Sequence, residues 1–404
     1  MTWCGTYGAA GTVSSLVFLL ILCACNSPSS AGVIDGNLNS DGSISDDRNN
    51  NNDNASVHHF ILGIISDNDD EAKSKSRPNT WESKFIRGKL FWNEKSRHLS
   101  VEFDAKNTKV LRSGFNLGGR GMELSELIYY DAVLTAFDDK SGIVYKIENG
   151  EIYPWVILAS GNGKMNKGFK AEWATVKSDK LIVGSHGTNI YSKDKTKAHE
   201  SQWIKVISSD GGIQHVNWFE NYSKLQNNTE CSGYLIHEAA CWSDTHRKWF
   251  FLPRKCSKEP YSSQNYDQAT SNFILTTDDD FQSFDQVPVG KIVPSQGFSS
   301  FKFLPESNDM IIVALKTMEV GSSYITHITA FTLNGEILLE DTLVSNTDKF
   351  EGMEFIHPYD PILNHTASAK DLEEIKSSAH IHLPLSQSLL TFCSTLILII
   401  CSIK

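Results

Sequence analysis

Five segments of the chain carry one oxygen-bearing residue inside an apolar stretch, usually shortly after a glycine and an aromatic or methionine side chain. They are Gly121-Met122-Glu123-Leu124-Ser125, Gly168-Phe169-Lys170-Ala171-Glu172, Gly233-Tyr234-Leu235-Ile236-His237-Glu238, Gly297-Phe298-Ser299 and Phe350-Glu351. The oxygens fall at Ser125, Glu172, Glu238, Ser299 and Glu351, at intervals of 47, 66, 61 and 52 residues. Two readings are open: such pairs recur by chance in a phenylalanine-rich β protein, or they mark equivalent positions of a structural repeat. In the second case the five groups form a ring of three carboxylates and two hydroxyls. Three buried negative charges at a closed axis cannot stay uncompensated, because desolvation and repulsion are prohibitive. An all-oxygen ring suits a hard divalent cation. Ca²⁺ takes about 6–8 oxygens, which five side chains plus carbonyls or waters supply. Zinc is disfavoured because the ring offers no soft ligand.

The elements that must position such a ring read as strands. Short apolar or alternating runs recur at Phe60–Ile65, Leu99–Phe103, Lys180–Val183, Lys248–Leu252 and Met310–Leu315. Turn clusters separate them, among them Asp138-Asp139-Lys140-Ser141-Gly142, Ser209-Asp210-Gly211-Gly212 and Asn334-Gly335, as expected for consecutive antiparallel strands. No convincing 3.6-residue apolar period extends beyond about ten residues. The expected class is all-β. A repeat of about 40–50 residues with four strands per unit is the signature of propeller blades. In a propeller the innermost strand of each blade lines the axis, which is how distant residues come to face one point.

The chain has 404 residues, with 37 basic against 48 acidic side chains and a net charge of −11. That balance argues against a nucleic-acid footprint, which needs a basic surface. Eight cysteines are too few for a disulfide scaffold at this length. Residues 1–25 read as a signal peptide around the apolar run Leu16–Cys25, too short for a bilayer that needs about 20 residues. The absence of Lys and Arg ahead of it leaves an uncleaved anchor open, and Leu22-Cys23-Ala24-Cys25 also resembles a lipobox. Residues 26–57 are rich in Ser, Asn, Asp and Gly and read as a disordered linker. The segment 361–404 ends in the apolar run Leu389–Cys401. Upstream lie the small triplet Ser377-Ser378-Ala379 and a spacer from His380 to Ser388, the three parts of a GPI signal. A short transmembrane helix from near Leu383 is the alternative. Sequons at Asn54, Asn221, Asn227 and Asn364 fit the secretory route.

Longer strings then carry a family resemblance. Gly119-Arg120-Gly121-Met122-Glu123-Leu124-Ser125-Glu126-Leu127, Lys167-Gly168-Phe169-Lys170-Ala171-Glu172-Trp173, Ala240-Cys241-Trp242-Ser243-Asp244, Trp249-Phe250-Phe251-Leu252-Pro253-Arg254 and Gly297-Phe298-Ser299-Ser300-Phe301-Lys302-Phe303 resemble the calcium-activated apyrase (soluble calcium-activated nucleotidase) family over about residues 58–356. The resemblance implies a five-bladed β-propeller, an axial Ca²⁺ and hydrolysis of nucleoside di- and triphosphates. It places the family's calcium ligands on Ser125, Glu172, Glu238, Ser299 and Glu351, the ring already reached from spacing.

Phosphoanhydride hydrolysis needs an in-line water, cationic neutralisation of the phosphates and a carboxylate to orient or deprotonate the water. Arg120, Lys170 and Arg254, in the matching strings, are candidate phosphate contacts, with plain surface solvation as the alternative. Asp139, Asp67 and Asp69 are candidate acid/base groups, since the strings around them resemble family segments near the active site; taken alone, each is an ordinary Asp-rich turn. The run Thr277-Asp278-Asp279-Asp280 reads as a solvated loop. Gly187-Thr188-Asn189-Ile190 and Gln202 beside Trp203 depart from the family pattern, which leaves base preference and the di- against triphosphate ratio open. Gly161-Asn162-Gly163-Lys164 lacks the spacing and the Ser/Thr of a phosphate loop. His58-His59 and His380/His382 are too isolated for a metal site, and the tryptophans are expected to pack between blades.

Of the three cysteines left in the 58–360 domain, Cys231 and Cys256 are expected to bridge the base of a hairpin that turns near Asp244-Thr245. Cys241 is then a buried free thiol beside Glu238. The expectation is a membrane-tethered, Ca²⁺-dependent nucleotidase on the extracellular side, with no nucleic-acid partner and with a homodimer left open. A lumenal UDP/GDP nucleotidase and an inactive propeller serving adhesion or nucleotide capture are the alternatives.

Overall fold

The computed structural model describes residues 57–188, 199–321 and 323–357. The leader, most of the linker, the apolar tail, Asn189-Ile190, the His380/His382 pair and the sequons at Asn54 and Asn364 lie outside the described residues.

In chain order the strands are β1 (Val57–Ser66), β2 (Trp81–Asn93), β3 (His98–Phe103), β4 (Lys109–Ser113), β5 (Leu124–Tyr130), β6 (Val133–Asp138), β7 (Ile143–Glu148) and β8 (Glu151–Ile157). Then come β9 (Trp173–Lys177), β10 (Lys180–Gly184), β11 (Trp203–Ile207), β12 (Ile213–Asn217), β13 (Tyr234–Ser243), β14 (Lys248–Ser257), β15 (Phe273–Asp278) and β16 (Phe284–Pro288). The series closes with β17 (Gln296–Phe303), β18 (Ile311–Val320), β19 (Ser323–Thr332), β20 (Ile337–Ser345) and β21 (Phe350–Phe355). A nine-residue helix, α1 (Phe219–Asn227), joins β12 to β13.

These strands form five antiparallel sheets: β5 to β8, β9 to β12, β13 to β16, β17 to β20, and a fifth ordered β21-β1-β2-β3 with β4 also paired to β2. The innermost strands pack side by side in the closed order β5, β9, β13, β17, β21 and back to β5. This is the expected five-bladed propeller. The expectation of four strands per unit holds for four blades; the fifth carries the extra strand β4. Its inner strand comes from the end of the chain and its next from the beginning, with Leu62 opposite Phe355 and Ile64 opposite Met353.

Hydrophobic pattern explains which strand goes where. Ile311-Ile312-Val313-Ala314-Leu315 is a continuous apolar run and is buried throughout, as a strand covered on both faces requires. Outer strands alternate instead: β12 is Ile-Gln-His-Val-Asn and β16 is Phe-Asp-Gln-Val-Pro, each with its polar positions exposed. Pro288, which has no N–H to donate, sits at the end of such an edge strand, where no ladder bond is lost. Each of the five core clusters spans one pair of neighbouring blades. Trp81, Trp92, Trp173, Trp218, Trp242 and Trp249 lie in these inter-blade cores, as anticipated.

The Cys231–Cys256 disulfide is present, with Cα atoms 5.0 Å apart. Its geometry differs from the expected cross-strand pair. The hairpin turns between Ser243 and Lys248, and Cys256 stands opposite Leu235. Cys231 therefore reaches the bridge from the loop ahead of β13. Cys241 is free but only half-buried. Its Sγ lies 3.6 Å from Thr175 Oγ1.

Candidate functional site

Four of the five ring residues share one backbone device. The β5/β6 register passes from Leu124↔Asp138 to Glu126↔Phe137, leaving Ser125 unpaired. The β13/β14 ladder breaks between His237 and Ala240, at Glu238. The β17/β18 ladder shifts between Phe298 and Ser300, at Ser299. In β21, Gly352 faces Ile65 and Phe350 faces Ser66, so Glu351 is skipped. A bulge inserts one residue and re-aims its side chain; here it turns an oxygen out of the pleat of each inner strand. Glu172 comes immediately before β9, its N–H bonded to Gly184 O at 2.8 Å, one step beyond the β9/β10 ladder.

The ring is buried. Ser125, Glu172, Ser299 and Glu351 are each 5% exposed or less, and Ser125 Oγ has no hydrogen-bond partner. Burial pushes the Glu351 carboxyl well above the ordinary carboxylate range and raises that of Glu238, against the pull of neighbouring cations. Buried carboxylates that resist ionisation, together with an orphaned hydroxyl and an all-oxygen donor set, fit a hard divalent cation such as Ca²⁺.

Basic side chains thread between the ring and the loops above it. Arg254, 3% exposed, donates to Glu238 at 2.7 Å and to Glu351 at 3.4 Å. Lys170 binds Glu172 Oε1 at 2.8 Å and also the Asp139 carboxylate. Lys349 lies 3.2 Å from Asp67, 2.8 Å from Asp69 and 3.7 Å from Glu351. Arg120 holds Asp69 at 3.0 Å, Asp70 at 3.2 Å and Glu123 at 2.5 Å. These ion pairs bring the charged candidates into contact with one another, while Ser299 Oγ bonds Thr317 Oγ1 at 3.0 Å. Arg254 is enclosed between two ring carboxylates. Lys170, with 46% of its side chain exposed, is the most open of the three basic candidates.

The carboxylates are not alike. Burial alone would raise Asp67, but the Lys349 ammonium and the Asp69 N–H bring it below its ordinary value. Burial raises Asp139 well above the usual range, opposed by Lys170 and assisted by the charges of Asp67 and Glu172. One oxygen of Asp139, Oδ1, is buried without a partner. Asp69 is raised by burial and by Asp67.

Sequence reasoning missed Lys349 and Glu123. Both stand two residues before a ring position, as Lys170 does, and Lys349-Phe350-Glu351 repeats the spacing of Lys170-Ala171-Glu172; that repeat was the available signal. Oxygens of Asp67, Asp69 and Glu123 lie within 4.8 Å of one another, yet Arg120 and Lys349 already neutralise this group. His186 and His237 are buried close by, His237 N–H bonding His186 O at 3.1 Å. Gln202 and Gly187 line the connection after β10, where Gly187 N–H bonds Ser201 O. Among the described residues, no helix is long and apolar enough to cross a membrane.

A family profile described as Apyrase matches residues 68–356. The chain is 44% identical over 301 residues to an apyrase of Cimex lectularius, covering 74% of this chain and 82% of that protein. It is 42% identical over 300 residues to soluble calcium-activated nucleotidase 1 of Rattus norvegicus, covering 74% of each. It is 34% identical over 301 residues to apyrase apy-1 of Caenorhabditis elegans, covering 73% of this chain and 84% of that protein.

Proposed function

The chain belongs to the apyrase family, and from that premise we propose that it hydrolyses the terminal phosphoanhydride bond of nucleoside di- and triphosphates with Ca²⁺ held by Ser125, Glu172, Glu238, Ser299 and Glu351. Bound there, Ca²⁺ supplies Lewis-acid polarisation of phosphoryl oxygens. The observation that carries the reading is that Lys170 and Lys349 bridge the ring glutamates Glu172 and Glu351 to two carboxylates, Asp139 and Asp67, whose proton affinities are pushed in opposite directions.

Two titratable groups driven apart in this way divide the acid and base roles. Asp67, kept ionised by Lys349, accepts a hydrogen bond from the attacking water and orients it. Asp139, with one free oxygen and a raised proton affinity, receives the proton as the water oxygen bonds to phosphorus. The anhydride P–O bond breaks and the departing nucleotide keeps that oxygen. Lys170, exposed at the mouth, neutralises the phosphates, assisted by Arg120 at the rim. Asp69 fixes Arg120 and Lys349. Arg254 offsets ring charge from behind. The Cys231–Cys256 disulfide supports an extracellular or lumenal setting, where such bonds persist. The apolar tail is the proposed tether; release of protein from cells by a GPI-specific phospholipase C tests it.

Phosphate release from ADP, ATP and UDP, measured with Ca²⁺, with Mg²⁺ and with chelator, is the decisive experiment. Ca²⁺-supported hydrolysis abolished by chelator is expected. Activity indifferent to chelator overturns the cation ring.

A further inference from the structure

Lys349 Nζ touches both levels of the site: the ring glutamate Glu351 at 3.7 Å, and Asp67 and Asp69 at 3.2 and 2.8 Å. Its side chain is 6% exposed, so it is closed to a phosphate in solution. An ammonium has three donors and no acceptor, and here it faces three carboxylates. Its backbone is fixed on both sides: Asp67 N–H bonds Lys349 O at 2.8 Å, and Lys349 N–H bonds Asn68 Oδ1 at 3.1 Å.

We infer that Lys349 is a positioning residue that couples the cation-binding ring to the aspartates at its mouth. The inference rests on the nucleotidase reading above and adds to it the route by which ring and mouth are linked. Lys349 competes for Glu351, so it weakens the hold of the ring on a cation. The same ammonium keeps Asp67 ionised and oriented, so it is needed for turnover. Lys170 repeats the arrangement between Glu172 and Asp139 but is open enough to turn to substrate. Lys349 is not, which confines it to coupling.

The consequence is an opposite pair of effects from one substitution. Terbium luminescence, with Ca²⁺ displacing the lanthanide, reads the ring directly. Lys349→Met is expected to bind terbium and Ca²⁺ about tenfold more tightly, since a positive charge a few ångströms from a ligand oxygen is removed. Its kcat is expected to fall by at least about tenfold, with KM nearly unchanged. Weaker or unchanged cation affinity, or wild-type kcat, overturns the inference. If Lys349→Met does not fold, Lys349→Arg decides. It keeps the charge, so affinity should stay near wild type, while its planar fork cannot reproduce the three contacts and kcat drops; wild-type kcat in that variant overturns the inference as well. Wild-type protein that binds terbium yet releases no phosphate from any nucleotide refutes the nucleotidase reading, and the affinity arm then decides the coupling by itself.

Discussion

Lys302 donates to Glu126 at 3.2 Å, with neither side chain more than 9% exposed, although β21 stands between their strands in the ring. Ser300 Oγ donates to the same carboxylate at 3.0 Å. β21 lets the two approach because Gly352 has no side chain: a Cβ there would lie 2.7 Å from the Glu126 carbonyl carbon. The pair therefore ties the first blade to the fourth. Burial pushes Glu126 up to about 7, against the pull of Lys302.

Removing one member strands the other as a buried charge. Glu126→Ala should cost about 3–5 kcal/mol, whereas Glu126→Leu combined with Lys302→Met should recover most of it. Denaturant midpoints with an unchanged slope measure this. A single variant within about 1 kcal/mol of wild type would show that the pair contributes no more than a surface contact.

Glu172→Gln, Glu238→Gln and Glu351→Gln each remove one ring charge. Calcium affinity by calorimetry should fall by at least about 10–100-fold, the range seen even for partners of metal ligands, and activity should return in part at high Ca²⁺. Ser125→Ala should have a smaller effect, since a neutral donor is lost. Unaltered affinity in all three glutamine variants removes the ring from cation binding.

Burial pushes His237 down to about 3 and His186 down to about 4, from an ordinary value of 6.5. Both imidazoles are neutral in the fold, while the unfolded chain takes up protons below 6.5. Their contribution is therefore complete above pH 6.5 and is lost as the pH falls toward 4 and 3, at up to about 1.4 kcal/mol per pH unit for each. His237→Leu should flatten the acid side of a stability curve measured from pH 7 to 4. An acid limb identical to wild type would assign acid unfolding to other groups.

Replacing Cys231 and Cys256 by serine opens a loop with a sequence separation of 25. The chain-entropy relation puts the loss at about 3.5 kcal/mol, read as a lower melting temperature. The reducing agent that breaks the bridge should lower the wild-type value toward the variant and leave the variant unmoved.

Strand positions were legible because they depend on local pattern, and so were the places of Ser125, Glu238, Ser299 and Glu351 on the innermost strands. A covered strand such as Ile311–Leu315 must be apolar on both faces, and a lone Ser or Glu among the apolar residues of an innermost strand stands out. What could not be read was which partner each charge takes. Arg254 sits in a string that resembles the family's site, yet nothing in its neighbours reveals that Glu238 and Glu351, 16 and 97 residues away, enclose it. The disulfide pairing was expected from the register of the hairpin, and that register missed by four residues because the turn between Ser243 and Lys248 is centred two residues later than expected, which sets Cys256 opposite Leu235. Lys349 was passed over since one lysine before a strand looks like any solvated end.

The fifth blade draws β21 from the last described strand and β1 from the first. Translation must reach Phe355 before Leu62 and Ile64 acquire their ladder partners. Until then the newborn polypeptide holds an open sheet edge toward water, the kind of template on which chains join one another. Glu351 arrives on that same closing strand, so the proposed cation ring is complete only when the circle shuts. A product truncated ahead of Phe350 keeps that edge open and lacks Glu351.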